Sequence, residues 1–196
     1  MIAVVDYGAG NVTSVKRALE HLGRECVVTS DADLVEGAER VIVPGVGHFG
    51  ATAAFSSTAL GAALERQVAR GTCVLGVCLG MQWLFESSDE APGQAGLGAF
   101  AGRCRSFPAT VKSPHVGWDQ LEIGATSRLL RGLSSGVFAY FSHSYRAPVV
   151  AETVASCGYG APHSAAVERD NLFGVQFHPE KSGETGLAVL RNFCTC

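Results

Sequence analysis

The 196-residue sequence contains no run of 18 apolar residues, which excludes a membrane-spanning helix. It has no Lys/Arg cluster and no interleaving of basic with aromatic residues, so nucleic acid is not an expected partner. Charge is sparse and nearly balanced, with 15 basic and 18 acidic side chains leaving −3. No basic region precedes the opening apolar run, and Asp6 closes it early, so a secretory signal is not expected. Seven cysteines, an odd number, show no paired zinc-ribbon spacing, and free thiols in a reducing, cytoplasmic setting are expected. Cys194 and Cys196 form a terminal C-x-C. Two nearby thiols suit a metal, but a plain surface tail is the expected reading.

The hydrophobic fraction of 47% is enough to build a core, and the length fits one domain over 1–196. Ile2–Tyr7 reads as a buried strand entering the loop Gly8-Ala9-Gly10. Asn11 is a candidate N-cap, and Val12, Val15, Leu19 and Leu22 recur at helical spacing until Gly23. Cys26–Thr29, Arg40–Val43 and Thr72–Val77 read as strands, with a helix over Leu60–Arg70. Such alternation predicts an α/β fold with a parallel sheet covered on both faces. After Pro92 the texture changes to strands with few helices: Arg103–Phe107, Val137–Arg146, Thr153–Gly158, and the pair Ser164–Arg169 and Leu172–Phe177 around an Asp170-Asn171 turn. This half is expected to be more antiparallel. A last helix runs from about Gly183 to Phe193.

The strand Val74–Val77 leads into Gly76-Val77-Cys78-Leu79-Gly80 and a helix-like stretch, Met81–Glu86. This is a nucleophile elbow with cysteine in place of serine. Its turn is strained, and side chains two residues to either side of the nucleophile would collide. Cys78 then lies at a helix N-terminus, where the dipole favours thiolate. The Leu79 N–H points where an oxyanion would form. A buried cysteine in a glycine turn is the plainer alternative, and for Cys73, within an apolar strand, it suffices.

A thiolate nucleophile needs a proton shuttle. His178 closes an apolar strand and precedes Pro179, which forces it into extended backbone. Alternation along such backbone returns Glu180 to the side of His178. The assigned roles are attack by Cys78, proton exchange by His178, and support of the imidazolium by Glu180. A second glycine turn, Pro44-Gly45-Val46-Gly47, follows a neighbouring strand, so the Val46 and Gly47 N–H groups are candidates to join Leu79 in an oxyanion hole; an ordinary tight turn is equally compatible. Gly8-Ala9-Gly10 lacks the third glycine of a dinucleotide fingerprint, since Thr13 stands there, and nothing calls for a metal or organic cofactor.

Taken in register, these blocks resemble the class I glutamine amidotransferases across the whole chain. Asp6–Asn11, Pro44–Gly50, Gly76–Gln82, Pro114–Trp118, Tyr140–Tyr145 and His178–Ser182 are most similar to the branch serving histidine biosynthesis, the glutaminase subunits of imidazole glycerol phosphate synthases. The resemblance implies a flavodoxin-like three-layer core and a glutamyl thioester on Cys78. It also implies a heterodimer with a (β/α)8-barrel synthase (cyclase) subunit, which would take the ammonia. By the same likeness Gly47, Gln82, His143 and Ser144 would hold glutamine, while Asn11, Trp118, Tyr140 and Lys181 would lie towards the partner. Trp118 as core and Lys181 as a solvated charge are the plainer readings. One departure stands out: Asp119 follows Gly117-Trp118 where asparagine is expected. Three rivals stay open: the glutaminase of another amidotransferase such as pyridoxal phosphate synthase, a cysteine hydrolase or chaperone-like protein on a related fold, and a non-catalytic binding subunit.

Overall fold

Strands that are apolar at every position belong in a sheet covered on both faces. The computed structural model describes residues 1–196. Its chain order is β1 (Ile2–Val5), α1 (Val12–His21), β2 (Cys26–Thr29), α2 (Ala32–Glu36), β3 (Arg40–Val43), α3 (Ala53–Ser56), α4 (Ala59–Ala69), β4 (Cys73–Val77) and α5 (Leu79–Trp83). There follow β5 (Phe85–Ser88), β6 (Phe100–Ser106), β7 (His115–Gln120), β8 (Glu122–Ile123), β9 (Phe138–His143), β10 (Tyr145–Arg146), β11 (Thr153–Cys157), β12 (His163–Arg169), β13 (Leu172–Val175) and α6 (Gly183–Phe193).

Eight strands form the central sheet in the order β2-β1-β3-β4-β13-β12-β11-β8. The first five are parallel neighbours, and from β13 onwards every pairing is antiparallel. Side chains alternate between two cores. Ile2, Val4, Ile42, Leu75, Val77, Phe173 and Val175 pack on one face with Val15 and Leu19 of α1 and Leu190 and Phe193 of α6. Ala3, Val5, Val41, Val43, Val74 and Leu172 pack on the other with Leu60 and Leu64 of α4, Phe55 and Trp83. The result is the expected α/β sandwich. A two-stranded sheet, β7 with β9, and a three-stranded sheet, β10-β6-β5, flank it.

Several local expectations change. The helix after Cys78 ends at Trp83 rather than Glu86, and β5 begins at Phe85. Leu79 to Phe85 is buried throughout, leaving no solvent face for a longer amphipathic helix. Asn11 occupies the N-cap of α1, but its side chain makes no capping hydrogen bond. Cys194 is buried in the core and Cys196 packs against it, so the C-x-C is not a surface tail. The 2.7 Å contact of Gln82 with the Tyr145 carbonyl ties α5 to β10, joining the central sheet to the three-stranded one.

β13 is the hinge between the parallel and antiparallel halves. Phe173 at its centre is fully buried, edge-on to Phe193, and covered by the Arg128 guanidinium 4.8 Å from its ring centre. Phe173→Ala is expected to lower stability by about 3–5 kcal/mol. Urea unfolding should show a lower midpoint at an unchanged m-value; an unaltered midpoint would show that the two halves are stable without this contact.

Candidate active site

The carboxyl ends of β1, β3, β4 and β13 deliver Tyr7, Pro44–Gly47, Cys78 and His178 to one edge of the sheet, the edge at which parallel α/β sheets bind ligands. Cys78 has φ 52° and ψ −105°, a backbone conformation rarely adopted by a residue with a side chain. The flanking glycines make the turn possible. A Cβ on Gly80 would overlap the Val43 carbonyl, and one on Gly76 would come within 2.6 Å of the Gly80 backbone. The turn is fixed by the Cys78 N–H donating to the Val175 carbonyl (2.8 Å) and the Gln82 N–H donating to the Cys78 carbonyl (3.0 Å).

His178 Nδ1 lies 2.9 Å from Glu180 Oε1, and both side chains are almost fully buried. The route differs from strand alternation. His178 is extended, but Pro179–Lys181 form a 3₁₀ turn that carries Glu180 back to the imidazole. Proline at the first position of that turn is pre-set for it. The His178 N–H donates to the Tyr140 carbonyl (2.9 Å), while the Ser182 hydroxyl donates to the His178 carbonyl (2.7 Å) and accepts from the Tyr140 N–H (2.9 Å). Burial opposes a charge on His178, but hydrogen bonds and charge from Cys78 and Glu180 outweigh it and raise its pKa to about 10. The ring therefore holds its second proton across neutral pH beside the Cys78 sulfur.

A cavity of about 240 Å³ opens over Cys78, lined by Gly47, Gln82, Glu90, Pro114, Ser142, His143, Ser144 and Tyr145. That volume lies below the usual range for drug-sized ligands and suits something of amino-acid size. All four residues expected at glutamine are here. Gln82, however, has its amide N–H groups engaged by the Tyr145 carbonyl (2.7 Å) and Gln176 Oε1 (3.1 Å). Gln176 in turn donates to Cys78 Sγ at 3.6 Å. Sequence reasoning missed Gln176, although it stands two residues before His178 on the same strand path. Glu90 was also missed; it accepts the Phe49 N–H at 2.7 Å and nothing near it in the sequence marks it.

Of the oxyanion candidates, Leu79 is already engaged by the protein. The Leu79 N–H donates to the Gly45 carbonyl at 3.3 Å, while the Val46 and Gly47 N–H groups donate to no protein atom. Gly45 has no room for a side chain: a Cβ there would press on the Tyr7 hydroxyl and stand 2.6 Å from Leu79 Cβ. That hydroxyl is buried without a partner, and burial and then the Cys78 charge push its pKa above the ordinary phenol range.

Trp118, Tyr140 and Lys181 come together on the outer face of β7 and β9. The Trp118 and Tyr140 rings are 6.0 Å apart and Lys181 Nζ lies 5.7 Å from the Tyr140 ring centre. Trp118 is 55% exposed, as are neighbouring Val116 and, at 50%, Phe138, so Trp118 is not a core residue. Asn11 stands at the head of α1, whose Ser14 and Arg17 line a surface cleft with Pro179 and Glu180.

A family model for class-I glutamine amidotransferases matches residues 3–195. The chain belongs to the class-I glutamine amidotransferases. It is 45% identical to the imidazole glycerol phosphate synthase subunit HisH of Methanothermobacter thermautotrophicus, over 98% of this chain and 97% of that protein. It is 46% identical to the protein of the same name from Deinococcus radiodurans, over 98% and 92%. Among solved structures, a glutamine amidotransferase superposes with a TM-score of 0.78 at 21% identity, covering 100% of this chain and 98% of that one. PurLQS from Thermotoga maritima superposes with a TM-score of 0.81 at 20% identity, covering 99% and 97%. At such identities these two establish the shared fold alone.

In this amidotransferase the raised pKa of His178 sets a sign for pH dependence. The stability carried by its extra proton is fully present below about 6.5, the ordinary histidine value, and is lost as pH rises through about 10. Glu180→Gln removes one of the two groups that hold this proton. Imidazole NMR titration should therefore find His178 losing its proton at lower pH in the variant, with a smaller stability loss towards pH 10. Identical titration curves would mean that Glu180 does not act on the ring.

Proposed function

We propose that this chain is the glutaminase subunit of an imidazole glycerol phosphate synthase. It would hydrolyse glutamine on Cys78 and pass ammonia to a (β/α)8-barrel synthase partner in a heterodimer, within the cytoplasm. The observation that carries the chemistry is Cys78, held at a strained elbow, with the buried His178–Glu180 pair bearing on its sulfur. The pathway rests on the relatives of that name, 45–46% identical over nearly their whole lengths. Because the central sheet takes strands from both ends of the chain, residues 1–196 are read as one domain.

The reaction follows from the geometry. Cys78 thiolate attacks the side-chain carboxamide carbon of glutamine, forming an S–C bond. His178 gives its proton to the departing nitrogen as the C–N bond breaks, leaving a glutamyl thioester and ammonia. Water attacks the thioester, losing a proton to His178, and glutamate departs as the thiolate is restored. Glu180 orients the ring and balances its charge. Gly47, Gln82, His143 and Ser144 are the proposed glutamine contacts. Gln82 would present its acceptor side, since both donors are held internally.

The oxyanion hole would be completed on demand. With the Gly45 carbonyl on the Leu79 N–H, that donor is spent. Rotation of the Gly45–Val46 peptide would turn the carbonyl away, free Leu79 and bring the Val46 N–H to the site. Val46 is exposed beside the cavity, so a partner can reach this turn. The apolar face of Val116, Trp118, Phe138 and Tyr140, with Lys181 and the Asn11 end of α1, is the proposed docking surface.

The decisive assay is glutamate formation by the chain alone, then with a barrel synthase subunit and its nucleotide substrate. Strong stimulation is expected, and equal turnover with and without them would remove the pathway assignment. Cys78→Ala should abolish hydrolysis while leaving partner binding intact; appreciable residual activity would mean another nucleophile. Glu180→Gln should give only partial loss.

A further inference from the structure

His115, His143 and His163 come from β7, β9 and β12 and meet behind the cavity. They are 4%, 7% and 0% exposed. One ring nitrogen of each lies within 4.8 Å of those of the other two. In each ring one nitrogen faces a group that only accepts. His115 Nε2 is 3.4 Å from Asp119 Oδ2, His143 Nδ1 is 2.9 Å from the Tyr145 carbonyl, and His163 Nδ1 is 3.4 Å from the Ala161 carbonyl. A carbonyl or carboxylate has no proton to give, so each neutral ring carries its N–H on that outer side. His115 Nδ1, His143 Nε2 and His163 Nε2 are then bare lone pairs, and all three are buried without any hydrogen-bond partner.

Three unmatched acceptors on neighbouring rings, buried in an aromatic shell, are costly unless something electron-poor sits between them. Phe107 packs against all three rings, and Tyr159 stacks on His115 at 3.9 Å. We propose that these three nitrogens form a binding site for a divalent transition-metal ion of the zinc class. Three imidazoles, each with its outer N–H anchored, are a zinc donor set with its supporting shell in place. Asp119, the residue that departs from the expected asparagine, supplies the carboxylate on His115. Bonds of about 2.0–2.1 Å require the rings to draw together slightly on binding, and three ligands leave a fourth position for water. The ion would fasten the β7–β9 sheet to β12 of the central sheet. It would also commit both nitrogens of His143, leaving only its backbone for glutamine. The Ser142 carbonyl, one residue away, is 3.9 Å from Cys78 Sγ, so the site braces one wall of the cavity.

The test uses the full chain stripped with a chelator and titrated with Co²⁺ and Zn²⁺. One equivalent is expected, with a cobalt spectrum that lacks thiolate charge-transfer bands and a melting temperature that rises with metal concentration. His163→Phe and, separately, His115→Gln should each lose that equivalent and the thermal shift. Asp119→Ala should weaken binding about 10–100-fold. Cys194→Ser combined with Cys196→Ser should retain it. Equal binding by the wild type and both histidine variants would overturn the proposal. So would a cobalt site that shows thiolate bands and vanishes with the cysteines, or no binding of either metal at micromolar concentration.

Discussion

The molecule depends on one close approach: the Gly80 backbone against the Val43 carbonyl at the end of a neighbouring strand. Two parallel strands and the first turn of a short helix share a space that admits no side chain on either Gly76 or Gly80. The approach lets the chain turn sharply after β4, places Cys78 in its left-handed conformation and sets the Leu79 N–H against the Gly45 turn. Strain of this kind persists only where the surroundings over-determine it. Here they do, because β4 is flanked by β3 and β13 and its side chains enter cores on both faces.

The candidate site is divided between the central sheet and the two-stranded sheet that flanks it. The parallel strands supply Cys78, the proposed nucleophile, and the glycine turns. The flanking sheet supplies, through β9, the strand that receives the His178 N–H and the Ser142 and His143 wall of the cavity. Ser182 works as a clasp between them, since its hydroxyl serves His178 and Tyr140 together. The His178 main chain is therefore anchored on the Tyr140 carbonyl and the Ser182 hydroxyl, and its ring on Glu180, before any substrate arrives, which is the preorganisation its proposed role as a proton shuttle needs.

Much of this was legible in the residues. Strands apolar on both faces, such as Ile2–Val5 and Val74–Val77, advertise a parallel core, and Gly76-Val77-Cys78-Leu79-Gly80 carries its own steric argument. The β7 strand was not legible as a strand, because its pattern is inverted. His115 is buried inwards while Val116 and Trp118 face solvent. Alternation arguments assume apolar residues inside, and an exposed apolar face reverses the rule. The contact of Glu180 with His178 was foreseen, but the 3₁₀ turn that makes it was not. Gln176 and the three-histidine cluster arise from contacts across distant strands, about which linear spacing says nothing.

β13 is the last strand in the chain, yet it sits next to β4 in the middle of the sheet. Gln176, just beyond it, touches a cysteine 98 residues earlier. During synthesis the Cys78 elbow therefore emerges long before the strand that leads to His178, its proposed base, and β4 waits with one edge unpaired. Until β13 and the residues just beyond it have emerged, Cys78 stands without His178, its proposed proton shuttle. On the proposed mechanism, glutamine is thus safe from any fragment that stops short of His178, and competence for hydrolysis doubles as a check that β13 has docked beside β4.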